Sequence, residues 1–587
     1  AAAAATGPAI YVVEAPMGEG KTEAAWYVAD CWVRAGGQGV YVALPTMATS
    51  NQMFGRVEGF LAAAGGPSNL LLLHGKALVN DRLRELRRRA ELYDKDGQPT
   101  GVASEAWFAS NRKHGLLAPF GVGTIDQSLL AVLQTRHFFV RLFGLAGKCV
   151  VLDEVHAYDA YTTTLLENLL RWLAALGCPV VLLSATLSRD QRARLVRSYA
   201  GEGATDSTEV RYPRVTTAAV GGSVHVEHVP ADPTRAPTVN LRWVAEAELA
   251  GRLRDALTGG GCAAVVRNTV GLAQETFLTL QRELGPHGVE VELFHARFPY
   301  GRRKEIEDRV LARYGKGPSG APENPARPAK AVVVATQVVE QSLDLDFDLM
   351  VSDVAPVDLV LQRAGRLWRH DRADRRTAVS GPSLWLVEPA AGADGVPAFG
   401  PSEFVYPRYV LLRSLAAVRG RDVIRLPGDL EPLVEAVYQE RPPEGVIPDG
   451  WRTALEDAQR GLRNELNRQR MDAMGVSVAA PGDEALFDRS NLDLEEDDPE
   501  AHPRLQARTR DAQPTVRLVV LYRVGATDSL TPDGSLPAVT DRPRSGRRRN
   551  TRLGRGRCPG CTLSNTRRSG RGSTSGTAPR WKSPRCR

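Results

Sequence analysis

Two adjacent carboxylates, Asp153 and Glu154, follow the apolar run Cys149-Val150-Val151-Leu152, and a Gly-rich loop ending in Lys and Thr lies upstream of them. The apolar run reads as a buried strand, and paired carboxylates at such a strand end suit a magnesium nucleotide. Asp153 would hold Mg²⁺ through its water shell, and Glu154 would orient and deprotonate the attacking water. The upstream loop is Ala15-Pro16-Met17-Gly18-Glu19-Gly20-Lys21-Thr22, set between a strand-like run at 10–13 and a helical run from Glu23. Its glycines let backbone N–H groups curl around phosphate, and the following helix adds its dipole. Lys21 would reach the β- and γ-phosphates and the Thr22 hydroxyl would ligate Mg²⁺; Ala15 stands where the full loop pattern has its first Gly.

Two further segments belong with these. Gln362-Arg363-Ala364-Gly365-Arg366-Leu367-Trp368-Arg369-His370 spaces its arginines three apart. On a helix that spacing puts Arg363, Arg366 and Arg369 on one face, turned into one cleft. A guanidinium fork stabilises charge on a transferring phosphoryl group better than an ammonium does. Ser184-Ala185-Thr186 follows another apolar run, at 180–183, so its hydroxyls would sit beside the nucleotide and pass its state onward.

Such residues need a scaffold that gathers several strand ends, and the alternation of apolar and helical runs predicts an α/β fold with parallel sheets. Strands are expected near 10–13, 39–43, 70–73, 149–152 and 180–183 within a first domain at 1–215. The Pro- and Gly-bearing stretch 216–238 reads as a linker. A second α/β domain, 239–425, has strand-like runs at 263–266, 289–294, 331–335 and 349–351. A helical linker and partial C-terminal domain are expected over 426–540, with an amphipathic helix at 451–474 carrying Leu455, Ala458, Leu462 and Leu466. An acidic loop at 493–500 and a strand at 515–521 follow.

The net charge of +7 misleads. Residues 541–587 hold fifteen Lys or Arg against one acid, Asp541; removing that +14 leaves residues 1–540 at −7. Charge alone therefore gives the folded part no nucleic-acid signature. The tail reads as disordered, or as out-of-frame translation of a GC-rich gene. Cys31, Cys149, Cys178 and Cys262 lie in apolar contexts and read as small core residues. Cys558 and Cys561 have zinc-knuckle spacing, but too few ligands stand nearby for a closed site. No apolar run approaches the roughly 18 residues of a membrane span, and a cytoplasmic protein is expected.

Phosphate loop, Asp-Glu-x-His, Ser-Ala-Thr and Gln-Arg-x-Gly-Arg, in that order, resemble a superfamily two DExH helicase. Asp153-Glu154-Val155-His156-Ala157-Tyr158-Asp159, Val122-Gly123-Thr124-Ile125-Asp126-Gln127 and the segment Gln362 to His370 narrow the resemblance to the CRISPR-associated helicase of type I interference, the Cas-three family. Leu44-Pro45-Thr46, Phe294-His295-Ala296-Arg297-Phe298 and Thr336-Gln337-Val338-Val339-Glu340-Gln341-Ser342-Leu343-Asp344 add to it. The resemblance implies two tandem RecA-like domains forming a motor that uses ATP and Mg²⁺ to pull along single-stranded DNA, three-prime to five-prime. It implies recruitment by a crRNA-guided surveillance complex. It implies ATP hydrolysis by Lys21, Thr22, Asp153, Glu154, Arg366 and Arg369, with Ala15, Gly18, Glu19 and Gly20 in the phosphate loop. Gln362 and His156 would couple the two domains. Thr46, Thr124, Arg267, Thr269, Thr336 and Gln337 lie in or near segments that touch the DNA backbone in such helicases.

The family's N-terminal HD nuclease domain and its adenine-reading stretch are expected to be absent, so no nuclease activity is expected and a separate HD nuclease becomes a candidate partner. Two rivals share parts of this pattern. One is a general DExH RNA or DNA helicase; the other is an inactive helicase remnant that serves as a binding module.

Overall fold

The computed structural model describes residues 7–16, 18–64, 68–73, 83, 85–86, 102–103, 114–135, 137–204, 211–232, 237–340, 343–372, 375, 379–392, 395–439, 447–483, 508–511, 520–524, 527–529, 555–558 and 561–564. A first compact unit, Ala1–Asp511, holds two sheets. The first contains β1 (Ala9–Glu14), β2 (Gly39–Leu44), β3 (Ser68–Leu73), β4 (Val102–Ala103), β5 (Phe120–Thr124), β6 (Lys148–Leu152), β7 (Val180–Ser184), β8 (Arg214–Ala219) and β9 (Val224–His228). Their order is β4-β3-β5-β2-β6-β7-β1-β8-β9. Strands β1, β2, β6 and β7 are buried along their whole length, as expected where helices cover both faces of a parallel sheet.

The linker expected at 216–238 is corrected by the structure. β8 runs antiparallel beside β1, and β9 pairs with β8 through a turn at Gly221 and Gly222. Only the inward residues of β8 are buried, and β9 is an outer strand with no buried residue. An edge hairpin needs few apolar side chains, so its composition mimics a linker.

The second sheet contains β10 (Thr238–Val244), β11 (Gly261–Val266), β12 (Glu290–Phe294), β13 (Lys330–Ala335), β14 (Leu349–Ser352), β15 (Ser383–Val387) and, beyond the short hairpin β16 (Ala390–Ala391) and β17 (Pro397–Ala398), β18 (Val423–Arg425). Its order is β12-β13-β11-β14-β15-β10-β18, parallel throughout except for β18 at the edge. Two parallel-dominated sheets flanked by helices are the expected tandem RecA-like arrangement. No helix among the described residues is long and apolar enough to cross a membrane.

A helix of 25 residues, Arg452–Val476, joins the two cores from outside. At 1.5 Å per residue it reaches about 37 Å. Trp451 and Leu455 at its start pack into the second core, while Ala473 and Val478 at its end pack into the first. Beyond the helix, Val478 N donates to Val132 O at 2.9 Å, Asn168 Nδ2 to Val478 O at 2.9 Å, and Trp172 Nε1 to Ala479 O at 3.1 Å. The amphipathic pattern read for this helix marks only its first half; residues 463–472 are largely exposed.

A second unit, Ala512–Arg587, has its own small sheet of β19 (Val520–Val524), β20 (Thr527–Ser529), β21 (Arg555–Cys558) and β22 (Cys561–Ser564). The last two lie in the stretch read as a disordered tail; the acidic loop at 493–500 lies outside the described residues, as do 515–519 of the expected strand at 515–521.

Trp451→Ala tests the anchoring of the long helix. Emptying that site should remove about 3–5 kcal/mol, read as a lower urea midpoint. An unchanged midpoint would show that the helix is not held at this end.

Candidate active site

Parallel pairing aligns the ends of three neighbouring strands. Glu14 of β1 stands opposite Ser184 of β7, and Leu152 of β6 opposite Leu182. The loop after β1, the carboxylates after β6 and the Ser-Ala-Thr turn after β7 therefore emerge side by side, which is where open α/β sheets bind ligands. Gly20, with φ of 79°, turns the loop into the helix Lys21–Arg34 as its N-cap residue. A side chain would be strained in that left-handed conformation, so glycine lets the helix N-terminus open directly onto the cleft.

A cleft of about 270 Å³ lies there, lined from the first domain by Gly18, Gly20, Lys21, Thr22, Asp153 and Glu154, and from the second by Arg366 and Arg369. Ala15 and Glu19 do not line it; Ala15 N instead ties the loop to Ser184 O at 3.3 Å. Sequence reasoning missed Thr49, Met53 and Arg56, which also face the cleft. They sit at i, i+4 and i+7 of the helix Met47–Ala64, the one-face spacing that could have revealed them.

Lys21 Nζ donates to Ala15 O at 2.7 Å and to Pro16 O at 3.0 Å. Burial holds its pKa below the usual lysine value, against the pull of Glu154 and Asp153. Burial, reinforced by Glu154, pushes the Asp153 carboxyl up. Burial and then the neighbouring Arg369 push Arg366 down. In each case burial in a dry place is the leading cause. Glu154 Oε2, Arg366 Nε and Arg369 Nη1 are buried and have no hydrogen-bond partner among the described residues. Anionic phosphate oxygens would satisfy the two guanidinium donors, and a water or hydrated cation the carboxylate oxygen. The residues present thus fit a polyphosphate with Mg²⁺, which Thr22 and Asp153 would hold.

A hydrogen-bonded relay crosses between the domains. Gln362 Nε2 lies 2.6 Å from His156 Nε2, His156 Nδ1 lies 3.0 Å from Ser184 Oγ, and Ser184 Oγ donates to Thr186 O at 2.9 Å. With the Gln362 amide donating to Nε2, the neutral ring carries its proton on Nδ1 and passes the same sense of donation to Ser184. Glu154, held at φ 53°, keeps its Oε2 3.5 Å from His156 Nδ1.

The shared arginine face is corrected by the structure. The helix Val357–Ala364 ends before Arg366, so the periodicity breaks. Arg363 turns instead into the second core, bound to Glu340 Oε1 at 2.7 Å and Ser352 Oγ at 2.7 Å. Arg366 bonds the carbonyls of Leu343 and Glu340, and Arg369 pairs with Asp344 at 2.8 Å.

Of the residues expected along a DNA path, most have their side chains engaged within the protein. Arg267 is buried and held bidentately by Glu246 at 2.9–3.0 Å, with Asp353 at 3.1 Å, so its guanidinium is not available to a phosphate. Thr269 caps the helix Val270–Leu284. Thr336 and Thr124 are buried. Gln337 donates to Asn268 O at 2.8 Å and Tyr406 Oη at 3.0 Å, and Thr46 bonds Thr49.

Comparison with known proteins agrees with this geometry. Residues 2–194 match the DEAD/DEAH box helicase family, and residues 259–372 match CRISPR-associated nuclease/helicase Cas3, C-terminal. The CRISPR-associated endonuclease/helicase Cas3 of Thermus thermophilus is 41% identical over 571 residues, covering 88% of this chain and 60% of that protein. The crystal structure of T. fusca Cas3 superposes with a TM-score of 0.77 at 35% identity, over 90% of this chain and 59% of that one, and that protein has also been solved with ATP. A chain of a CRISPR RNA-guided surveillance complex, pre-nicking, matches with a TM-score of 0.66 at 32% identity, over 91% of this chain and 58% of its own length. This chain thus spans about 60% of the length of these three relatives. By motif, by sequence and by fold, the chain belongs to the CRISPR-associated Cas3 family of helicases.

Proposed function

We propose that this chain hydrolyses ATP to translocate along and unwind single-stranded DNA in CRISPR type I interference, in the cytoplasm, recruited by a crRNA-guided surveillance complex. A separate HD nuclease would be a further partner. The observation that carries the reading is the split cleft: phosphate loop and carboxylates on one domain, two arginines on the other, with unpartnered charged atoms aimed between them. Binding of the triphosphate would exchange the Ala15 and Pro16 carbonyls on Lys21 for phosphate oxygens. Mg²⁺, held by Thr22 and Asp153, would supply charge neutralisation at the phosphates. Glu154 would take the proton of the attacking water, and Arg366 and Arg369 would stabilise charge on the transferring group. Since those arginines belong to the second domain, turnover requires closure, and the His156–Gln362 relay reports whether closure has occurred. Cycles of closing and opening would then move the segments at the strand ends along DNA.

The experiment is the ATP turnover of the purified chain, alone, with single-stranded DNA, and with RNA. Stimulation by DNA alone supports the proposal; equal stimulation by RNA would favour a general helicase, and folded protein without turnover would favour a binding remnant. Lys21→Ala should abolish tight nucleotide binding. Glu154→Gln should retain binding while turnover falls by about 10²–10⁴-fold, and equal turnover in variant and parent would remove Glu154 as the base. Gln362→Ala deletes one hydrogen bond between domains, worth about 1 kcal/mol. It should slow DNA-stimulated turnover about fivefold at unchanged KM for ATP; a raised KM with unchanged turnover would contradict its coupling role.

A further inference from the structure

Behind the cleft, the residue that precedes the phosphate loop sits in a buried charge cluster that both domains reach. Glu14, the last residue of β1, is 1% exposed. Its carboxylate accepts from Arg192 Nη1 at 3.1 and 3.3 Å, and from Arg214 Nε at 2.9 Å and Nη2 at 3.2 Å. Both arginine side chains are almost wholly buried. Separating a buried guanidinium from a carboxylate partner in a dry place is costly.

A further carboxylate reaches this cluster from the other domain. Arg214 Nη1 meets Glu431 Oε1 at 2.7 Å, and Glu431 lies in the first turn of the helix Leu430–Tyr438. One turn later, Glu435 Oε1 accepts from Arg189 N at 2.6 Å. Arg189 begins the helix that carries Arg192, so this carboxylate also faces that helix's positive end. The helix Leu430–Tyr438 is fixed within the second domain: Leu430, Leu433, Val434 and Val437 are buried in its core, and Tyr438 Oη donates to Asp358 Oδ1 at 2.5 Å. Asp358 lies on the helix that presents Gln362. One rigid body therefore touches the first domain twice, through Gln362 at His156–Ser184 and through Glu431 at Arg214–Glu14. Those two contacts end on register partners, since Ser184 pairs with Glu14.

We infer that Glu431 and Glu435 form a second interdomain latch, in which Glu431 is a positioning residue that docks the second domain against the base of the phosphate loop and so brings Arg366 and Arg369 into the cleft. Its effect on hydrolysis rests on the ATPase reading above; the docking itself does not. The paired variant Glu431→Gln/Glu435→Gln keeps the shape of both side chains and removes their charge. Two measurements on the full chain separate the claims. Single-molecule energy transfer between dyes placed through unnatural amino acids at Tyr27 and Leu278, exposed positions on the two domains, should show the variant leaving the parent's short-distance state for a longer, broader one. DNA-stimulated turnover should fall about tenfold with KM for ATP within about twofold, because the phosphate loop keeps Glu14 and its arginines. Unchanged distances in the variant would overturn the latch, and so would a loss expressed in KM alone. A distance change in a parent that never hydrolyses ATP would uphold the latch and remove the hydrolytic reading.

Discussion

The parallel pairing of β1 with β7 is the constraint on which the rest of the cleft depends. It places Glu14 opposite Ser184, and from that pair the phosphate loop, the Ser-Ala-Thr turn and both contacts to the second domain are laid out. A slip of one residue would turn every side chain of β1 to the other face. Both faces of these strands are buried, so the register is held by the close packing of unlike side chains on each face, not by a polar–apolar alternation. Chemistry at the cleft is in this sense a consequence of hydrophobic packing beneath it.

The arginines show how one short motif divides its labour. Arg363, Arg366 and Arg369 share a spacing, yet the chain leaves the helix at Ala364 and sends them to three different environments. Arg363 becomes a core residue, bonded to Glu340 and Ser352 and linked to Asn268. Arg366 is braced by two carbonyls while its Nε has no partner among the described residues, and Arg369 is steered by Asp344. Asp344 is itself shared with His370, whose Nε2 lies 3.1 Å away. Cationic side chains that face a phosphate site must be held apart from one another until the anion arrives. Carbonyl and carboxylate braces do this without supplying the full counter-charge that would make a ligand redundant.

What could be read from the sequence follows the same physics. Strands buried on both faces write themselves as continuous apolar runs, so β1, β2, β3, β6, β7, β11 and β13 were legible, as was the phosphate loop between β1 and its helix. β5 was harder because Gly121 and Gly123 interrupt its run. The β8–β9 hairpin was hidden because an edge pair needs only one apolar face, and threonines there look like loop sequence. Cleft residues with local signatures, such as Lys21, Asp153 and Glu154, can be picked out from sequence; Thr49, Met53 and Arg56 cannot, because their spacing is meaningful only once the helix is known to face the cleft. Arg267 shows a general ambiguity: a guanidinium after a strand end looks the same in sequence whether it faces a phosphate or, as in this structure, Glu246 and Asp353.

The two domains are held by contacts of different physical kinds, and the difference bears on how they could move. The helix Arg452–Val476 is anchored by apolar burial at both ends, contacts that are short-ranged and lost only by unpacking a core. The His156–Gln362 relay is a neutral hydrogen bond, and the Glu431–Arg214 contact is an ion pair with one partner buried and the other partly in solvent. Opening the cleft would exchange the hydrogen bond for water at little net cost. Separating Glu431 from Arg214 would instead break an ion pair whose guanidinium is almost wholly buried. Separation without ligand would thus be resisted mainly on the Glu14 side, while the helix tether limits how far the domains could part. A motion compatible with all three contacts pivots about the Glu431 side and the helix anchors and opens at the relay. That is the side where Arg366 and Arg369 meet Glu154, so a small rotation there changes the catalytic constellation most while breaking the weakest contact.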